Sequence, residues 1–301
     1  MAKFLNHISE GLIKLPSSVD IAINDFAVFL YLSACKDMIE EHAEDKAYTE
    51  GKKLLAKILA KRNLKVSDED SLTIGKKLNT NSFKVKKIKI LASDLPKSYS
   101  ITGEEETEIK LSVWFKAPKK MTSLNAGGMY DVGLKQIMVS LDNYLYSTHE
   151  FKTIDGIKNV LETKLDKYIG TLKHEFTHAI QFEFLRHKDE DQVSSLYRAK
   201  ATSKNIPKNT YNLSNVEFDP IIKTELSNFK SVLRHIKPLK GISITKIISY
   251  LTGSTNVPYI IERQSEFFLA LKRFDSTRWK LAVKKFSAEV IKMKEEIDKD
   301  D

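Results

Sequence analysis

The sequence predicts an α+β protein that is mostly helical and carries one small sheet in the middle of the chain. Apolar residues recur at helical spacing in the first sixty residues and again from about residue 156 onward. Between these stretches, residues 83–141 contain short segments with partial alternation and many β-branched or aromatic side chains. We therefore predict a helical N-terminal region, residues 1–80, followed by a second domain, residues 81–301, with a helical C-terminal part.

The elements follow in order along the chain. Helical spacing predicts a first helix in VDIAINDFAVFLYLSACKDMIEEH and a second in KKLLAKILAKR, which the polar run SDEDS ends. We predict strands in SFKVKKIKIL, TEIKLSVWFKA and GLKQIMVSL, with turn signals between them. A long amphipathic helix follows over 155–188, with Gly170 as the expected place for a bend. After a polar loop, further helices are predicted up to the segment STRWKLAVKKFSAEVIKMKEEI.

The charge of the chain bears on its partners. The formal net charge is +9, but the lysines are interleaved with acids in KDMIEEHAEDK, EEETE and MKEEIDKDD. This pattern favours a solvated, lysine-rich surface over a nucleic-acid site. A basic accessory protein that binds nucleic acid stays an alternative.

Cysteine usage and hydropathy bear on the location. Cys35 is the single cysteine, which excludes a disulfide framework and a cluster of thiolate zinc ligands, and its apolar surroundings predict a buried thiol. The N-terminal residues lack the pattern of a secretory signal, and nowhere do 18 apolar residues run together. We expect a cytoplasmic protein without a membrane partner.

One motif on the long helix carries chemistry. His174-Glu175-Phe176-Thr177-His178 reads H-E-x-x-H. Two histidines four residues apart differ by about 40° around a helix, so both imidazoles can reach one metal ion. Glu175 lies about 100° round the helix from His174, where it can handle protons without binding the ion. The spacing predicts a Zn²⁺ site with Glu175 as general base.

Together with its surroundings, this motif resembles the zincin metallopeptidases over residues 127–275. GGMYDVGLKQIMVSL is similar to the edge strand that precedes the active helix of zincins, and TLKHEFTHAIQ is similar to that helix. The resemblance implies that residues 81–301 form a zincin-like catalytic domain that hydrolyses a protein or peptide. It also implies that an extended substrate pairs antiparallel with the edge strand, which we assign to residues 134–141.

The resemblance also bears on the third zinc ligand. Gln181 and Phe184 occupy the positions of the glycine and the third histidine of H-E-x-x-H-x-x-G-x-x-H, so the chain looks like the zincins that use a glutamate. Glu217, in TYNLSNVEF, resembles the Y-x(n)-E-F motif of small zincins, many of them encoded by phages. Glu266, in SEFFLALKRF, is the second candidate, and Glu225 and Glu262 follow. Glutamate-zincins commonly carry an aspartate four positions after the ligand, where this chain has Ile221.

Zincin chemistry also implies a group that stabilises the oxyanion. We choose Tyr211, six residues before Glu217; His235, Tyr259 and Arg263 are the other candidates. Peptide deformylases share H-E-x-x-H but need a cysteine in an E-G-C-x-S segment, which Cys35 lacks. A zincin-fold protein that binds without turnover is a second alternative, beside the nucleic-acid-binding accessory protein. If the gene belongs to a phage, the expected place of action is the host cytoplasm or the virion.

Overall fold

The computed structural model of the protein describes residues 14–97, 101, 103–119, 121, 127–145, 147–185, 221–222, 224–226, 268–269, 271–272 and 276–299. Contacts within the chain group residues 14–185 into one compact unit and residues 1–13 with 186–301 into another. Helices and strands on both sides of the predicted boundary at residue 80 therefore belong to the same unit. The predicted α+β class, mostly helical with one small sheet, is confirmed.

The helices before the sheet are α1 (Ser17–His42), α2 (Asp45–Lys61) and α3 (Asp68–Gly75). Within α1, the stretch Ile23–Val28 is π-helical. At the start of α3, the Ser67 hydroxyl accepts a hydrogen bond from the amide of Asp70, which satisfies one of the unpaired donors that every helix start leaves. The run SDEDS, which the sequence analysis treats as a break, is thus the cap and first turn of α3, because the preceding helix already ends at Lys61.

Among the described helices, α1 is long and apolar enough to cross a membrane by length and composition, which differs from the expectation of no such segment. Its most apolar window has a mean hydropathy of 1.4, and 61% of that window is buried inside the protein. Val19, Tyr31, Leu32 and Cys35 are completely buried in it. This burial is typical of the core helix of a globular unit.

The sheet contains β1 (Phe83–Leu91), β2 (Glu106–Trp114), β3 (Gly128–Asp131) and β4 (Gln136–Ser140). Their order is β1-β2-β4-β3; β1 pairs antiparallel with β2, β4 parallel with β2, and β3 antiparallel with β4. The three predicted strands are confirmed. The additional strand β3 lies where the sequence analysis expects a turn.

The position of β4 corrects the predicted edge strand. We expected residues 134–141 to lie at the edge with one side open, but β4 lies between β2 and β3. Ile137, Met138 and Val139 are all buried, because both faces of this strand are covered. Such a continuous apolar run is typical of an interior strand. Among the described strands, the edges of the sheet are β1 and β3, and β3 is the edge strand that packs against the long helix after β4.

Short helical segments lead from β4 to the long helix: α4 (Asp142–Leu145), a 3₁₀ turn (Thr148–Lys152), α5 (Ile154–Lys158), a π-helical stretch (Asn159–Lys164) and α6 (Leu165–Glu183). The Thr153 hydroxyl caps α5 by accepting a hydrogen bond from the amide of Gly156. From there the helix continues unbroken through Gly170, and its irregular part is the π-helical stretch. Phe176 and Ile180 are fully buried, and α6 packs against β3, β4 and the π-helical part of α1.

In the C-terminal unit, the described residues include α7 (Ser276–Lys299), which confirms the last predicted helix. Its Ala282, Phe286 and Val290 are buried, and the ring of Phe286 meets that of Phe268 edge to face at 5.2 Å. Residues spaced by four or eight along α7 thus form its buried stripe, as an amphipathic helix requires.

Candidate active site

The H-E-x-x-H motif lies in the second half of α6, and the helix brings the two histidines together. Nε2 of His174 and Nε2 of His178 are 3.0 Å apart, and the imidazole planes are inclined at 75°. His178 is 7% exposed and His174 is half-buried. Because the helical repeat alone places these side chains one turn apart on one face, the predicted pairing of the two imidazoles is observed.

The separation of the two nitrogens can be tested against a shared zinc ion. With Zn–N bonds of about 2.05 Å, nitrogens 3.0 Å apart subtend an angle of about 94° at the metal. A tetrahedral angle of about 109° needs a separation of about 3.3 Å, so each ring would move by only about 0.2 Å. The same 3.0 Å also fits a direct N–H···N hydrogen bond between the rings. The histidine pair therefore fits a metal without rearrangement of the helix.

Three of the four predicted candidates for a third ligand lie outside the described residues. Among the residues that the structure describes, no group of three or more His, Cys, Asp or Glu side chains could hold a metal ion. Glu217, Glu262 and Glu266 lie outside the described residues, as does Tyr211. Glu225 is described, half-buried, and belongs to the other compact unit.

Glu175, the residue after His174, packs against the edge strand β3. Its side chain is 7% exposed. A Cβ placed on Gly128 of β3 would lie 3.1 Å from Cγ of Glu175 and 2.6 Å from Cγ2 of Thr171, closer than side chains normally approach. Only glycine allows the strand to come this near to the helix. The candidate general base is thus packed directly against the edge of the sheet.

A tyrosine that the sequence analysis does not single out also contacts Thr171, one helical turn before Glu175. The hydroxyl of Tyr144, on α4, lies 2.7 Å from Oγ1 of Thr171, and the tyrosine is 8% exposed. Burial raises the pKa of Tyr144, the hydrogen bond with Thr171 lowers it, and the negative charge of Glu175 raises it. Tyr144 is therefore neutral near pH 7 and lies within electrostatic reach of Glu175. No motif or spacing in the sequence marks it.

The C-terminal end of α6 is fastened to the β3–β4 hairpin by a buried carboxylate. Glu183 is 7% exposed; it accepts a hydrogen bond of 2.8 Å from the hydroxyl of Tyr130 and pairs with Nζ of Lys135 at 2.8 Å. The backbone amide of Glu104 donates to the carbonyl of Glu183, and that of Gly103 to the carbonyl of Phe184. The two backbone bonds satisfy carbonyls that the helix end leaves unpaired. The contacts of Tyr130 and Lys135 with Glu183 hold the β3–β4 hairpin against α6.

An aromatic contact connects this anchor with the histidine pair. The ring of Phe182 lies 6.2 Å from that of Tyr130 and 6.5 Å from the imidazole of His178. Gly128 of the edge strand thus lies next to Thr171 and Glu175 of α6, and the Tyr130 hydroxyl of the same strand reaches Glu183 near the end of that helix. Gly128 and Tyr130 are two residues apart in β3 and so face the same side of the sheet.

Comparison with known proteins gives no further guidance. No family model matches the chain, and no curated protein or solved structure matches it significantly.

Proposed function

We propose that the protein is a zinc-dependent metallohydrolase that cleaves peptide bonds, with His174 and His178 as zinc ligands and Glu175 as the general base. The observation that carries the proposal is the approach of the two Nε2 atoms to 3.0 Å with Glu175 buried beside them, against an edge strand. The helical repeat accounts for the convergence of the two rings, and the buried carboxylate next to them is what a pair of histidines without a function would not need.

Glu175 has the placement that a proton-transfer group needs. It follows the first histidine directly, so it lies about 100° round the helix from that ligand, beside the metal position and outside the ligand set. From there its carboxylate takes a proton from the attacking water and passes it to the leaving amine. Zinc, when bound, supplies Lewis acidity and lowers the pKa of a coordinated water to about 7.

The edge strand supports a peptide as substrate. The sheet order leaves β3 paired only with β4 among the described strands. An extended peptide can add to such an edge through main-chain hydrogen bonds, which give affinity with little dependence on sequence. Because Gly128 of this strand touches Glu175, a peptide added along β3 would run past the general base. In this proposal the strand that binds the substrate is therefore residues 128–131, and not residues 134–141.

We propose Glu217 as the third zinc ligand, with Glu266 as the alternative, and Tyr211 as the group that stabilises the oxyanion. These three assignments rest on the resemblance of the sequence to glutamate-zincins. Two histidines and one carboxylate leave the fourth position of a tetrahedral site open for water, as catalytic zinc sites require.

The proposal includes a cytoplasmic location. The burial of α1 and of the single cysteine supports it, since Cys35 is completely buried and burial raises the pKa of its thiol. A buried thiol that stays protonated is compatible with a reducing compartment. The single cysteine cannot form an intramolecular disulfide, so an oxidising compartment would not stabilise this fold.

The deciding experiment replaces Glu175 by Gln. This variant keeps the size of the side chain and removes the proton acceptor, so we expect one zinc per chain and a loss of turnover of about 10²- to 10⁴-fold. Zinc content is measured by elemental analysis, and turnover with a library of quenched fluorescent peptides. Glu162→Gln, a half-buried glutamate earlier on the same helical rod, is the matched control and keeps wild-type activity. Full activity in Glu175→Gln would remove the mechanism, whichever carboxylate completes the zinc site.

A further inference from the structure

We infer that Tyr144 is a positioning residue for the proposed reaction: through the hydroxyl of Thr171 it fixes the notch in which Gly128 of the edge strand lies against Glu175. The inference rests on the proposed function, because the notch matters only if Glu175 acts on a substrate held along β3. Tyr144 does not itself touch the reacting atoms.

The first step is the direction of the hydrogen bonds. Thr171 has one hydroxyl proton, and Oγ1 donates it to the carbonyl of Lys167 at 3.1 Å. In the contact of 2.7 Å between Tyr144 and Thr171, the tyrosine must therefore be the donor. With one bond donated and one accepted, the Thr171 side chain is fixed about its Cα–Cβ bond.

The second step is what this rotamer does. Thr171 stands one helical turn before Glu175, on the same face of α6. Its Cγ2 forms one wall of the notch around Gly128, and Cγ of Glu175 forms another, at 2.6 Å and 3.1 Å from a Cβ placed on that glycine. A rotation of Thr171 would move its methyl group away from the strand. The distance between the edge strand and the general base therefore depends on the Thr171 rotamer.

The third step is that Tyr144 is itself held rigidly. It lies on α4, directly after the interior strand β4, and its ring meets the buried ring of Tyr168 edge to face at 5.2 Å. Its hydroxyl also lies 3.0 Å from a Cβ placed on Gly127, the residue before the edge strand. Tyr144 thus connects the interior of the sheet, the start of β3 and the helix that carries the general base.

The test compares Tyr144→Phe and Thr171→Val with matched controls. Each variant removes the same hydrogen bond with little change of shape, so each lowers kcat about tenfold while KM stays within about twofold, because a misplaced general base slows chemistry more than binding. The double variant is no slower than the slower single variant, since both changes remove one shared interaction. Tyr48→Phe removes a hydroxyl that contacts only Lys52 in the described structure, on another helix, and leaves kcat unchanged. Thr171→Ser keeps the hydroxyl but removes the Cγ2 methyl group that lines the notch, so it lowers kcat as well.

The measurements use the full chain loaded with zinc and the peptide that the wild type cleaves fastest from a quenched library. Zinc content stays at one per chain, and amide exchange over residues 127–131 becomes faster in Tyr144→Phe than in Tyr48→Phe. Wild-type kinetics and wild-type amide exchange in Tyr144→Phe overturn the inference and leave the proposed function intact. A double variant whose loss of kcat is the product of the two single losses has the same meaning. A zinc-loaded wild type that cleaves no peptide overturns the proposed function, and this inference with it.

Discussion

Zinc should stabilise the folded protein, and the size of the effect follows from the zinc concentration relative to its Kd. The two Nε2 atoms already lie 3.0 Å apart on one rigid helix, so binding needs almost no reorganisation of these two ligands. A ligand that binds only the folded state stabilises it by about 2.7 kcal/mol at a concentration of 100 times its Kd. For a unit of about 150–250 residues, 1 kcal/mol shifts the thermal midpoint by about 2–4 °C, so we expect a rise of about 5–11 °C.

The assay is thermal unfolding of the chelator-treated full chain, followed by circular dichroism, with and without added zinc. His174→Ala and His178→Ala each abolish the shift, because a site that loses one of its ligands loses both a bond and its geometry. Glu175→Gln keeps the shift, since that carboxylate is outside the proposed ligand set. His149→Ala is the control: this histidine is exposed on the 3₁₀ turn of the same unit and leaves the shift unchanged.

Two results would refute this reasoning. A midpoint that does not move with zinc, together with no zinc uptake on titration, means that the histidine pair does not bind zinc and that the 3.0 Å contact is a direct N–H···N bond. In that case His178→Ala lowers the midpoint by the same amount with and without chelator. A zinc shift that survives in both histidine variants means that the metal binds elsewhere in the chain.

Three further predictions concern the ligand set and the core. Glu217→Ala weakens zinc binding strongly in a competition titration with a chromophoric chelator, whereas Glu266→Ala leaves it nearly intact; the reverse result assigns Glu266 as the ligand. Tyr168→Phe leaves the free energy of unfolding in urea unchanged or raises it by up to about 1 kcal/mol, because the buried Tyr168 hydroxyl has no hydrogen-bond partner among the described residues. Tyr31→Phe loses a hydrogen bond of 2.9 Å to the carbonyl of Val160, so it lowers the free energy of unfolding by about 1–2 kcal/mol. Burial raises the pKa of both tyrosines, so the folded state keeps protons that the unfolded chain releases above about pH 10. Stability should therefore fall as the pH rises through 10, and less steeply in the double phenylalanine variant; equal slopes between pH 9 and 11 would contradict the role of these two groups.

The error in the edge strand shows where sequence patterns can be misread. The run Ile137-Met138-Val139 was interpreted from its nearness to the active helix, although three consecutive apolar residues indicate a strand covered on both faces. The true edge, Gly128–Asp131, has four residues and begins with glycine, so it carries no alternation that a sequence pattern could detect. The sequence signal for this strand is the pair Gly127-Gly128, because Gly128 is needed where the strand backbone comes close to the helix.

The sequence by itself determined the α+β class and the histidine pair. A helix is held by bonds between residues four apart, so the spacing of His174 and His178 fixes their common face whatever the rest of the chain does. The tertiary structure alone decided the order of the strands, the contact of Gly128 with Glu175 and the hydrogen bond from Tyr144 to Thr171. These depend on pairing between segments far apart in the chain, where each choice of register competes with others that satisfy the same local pattern.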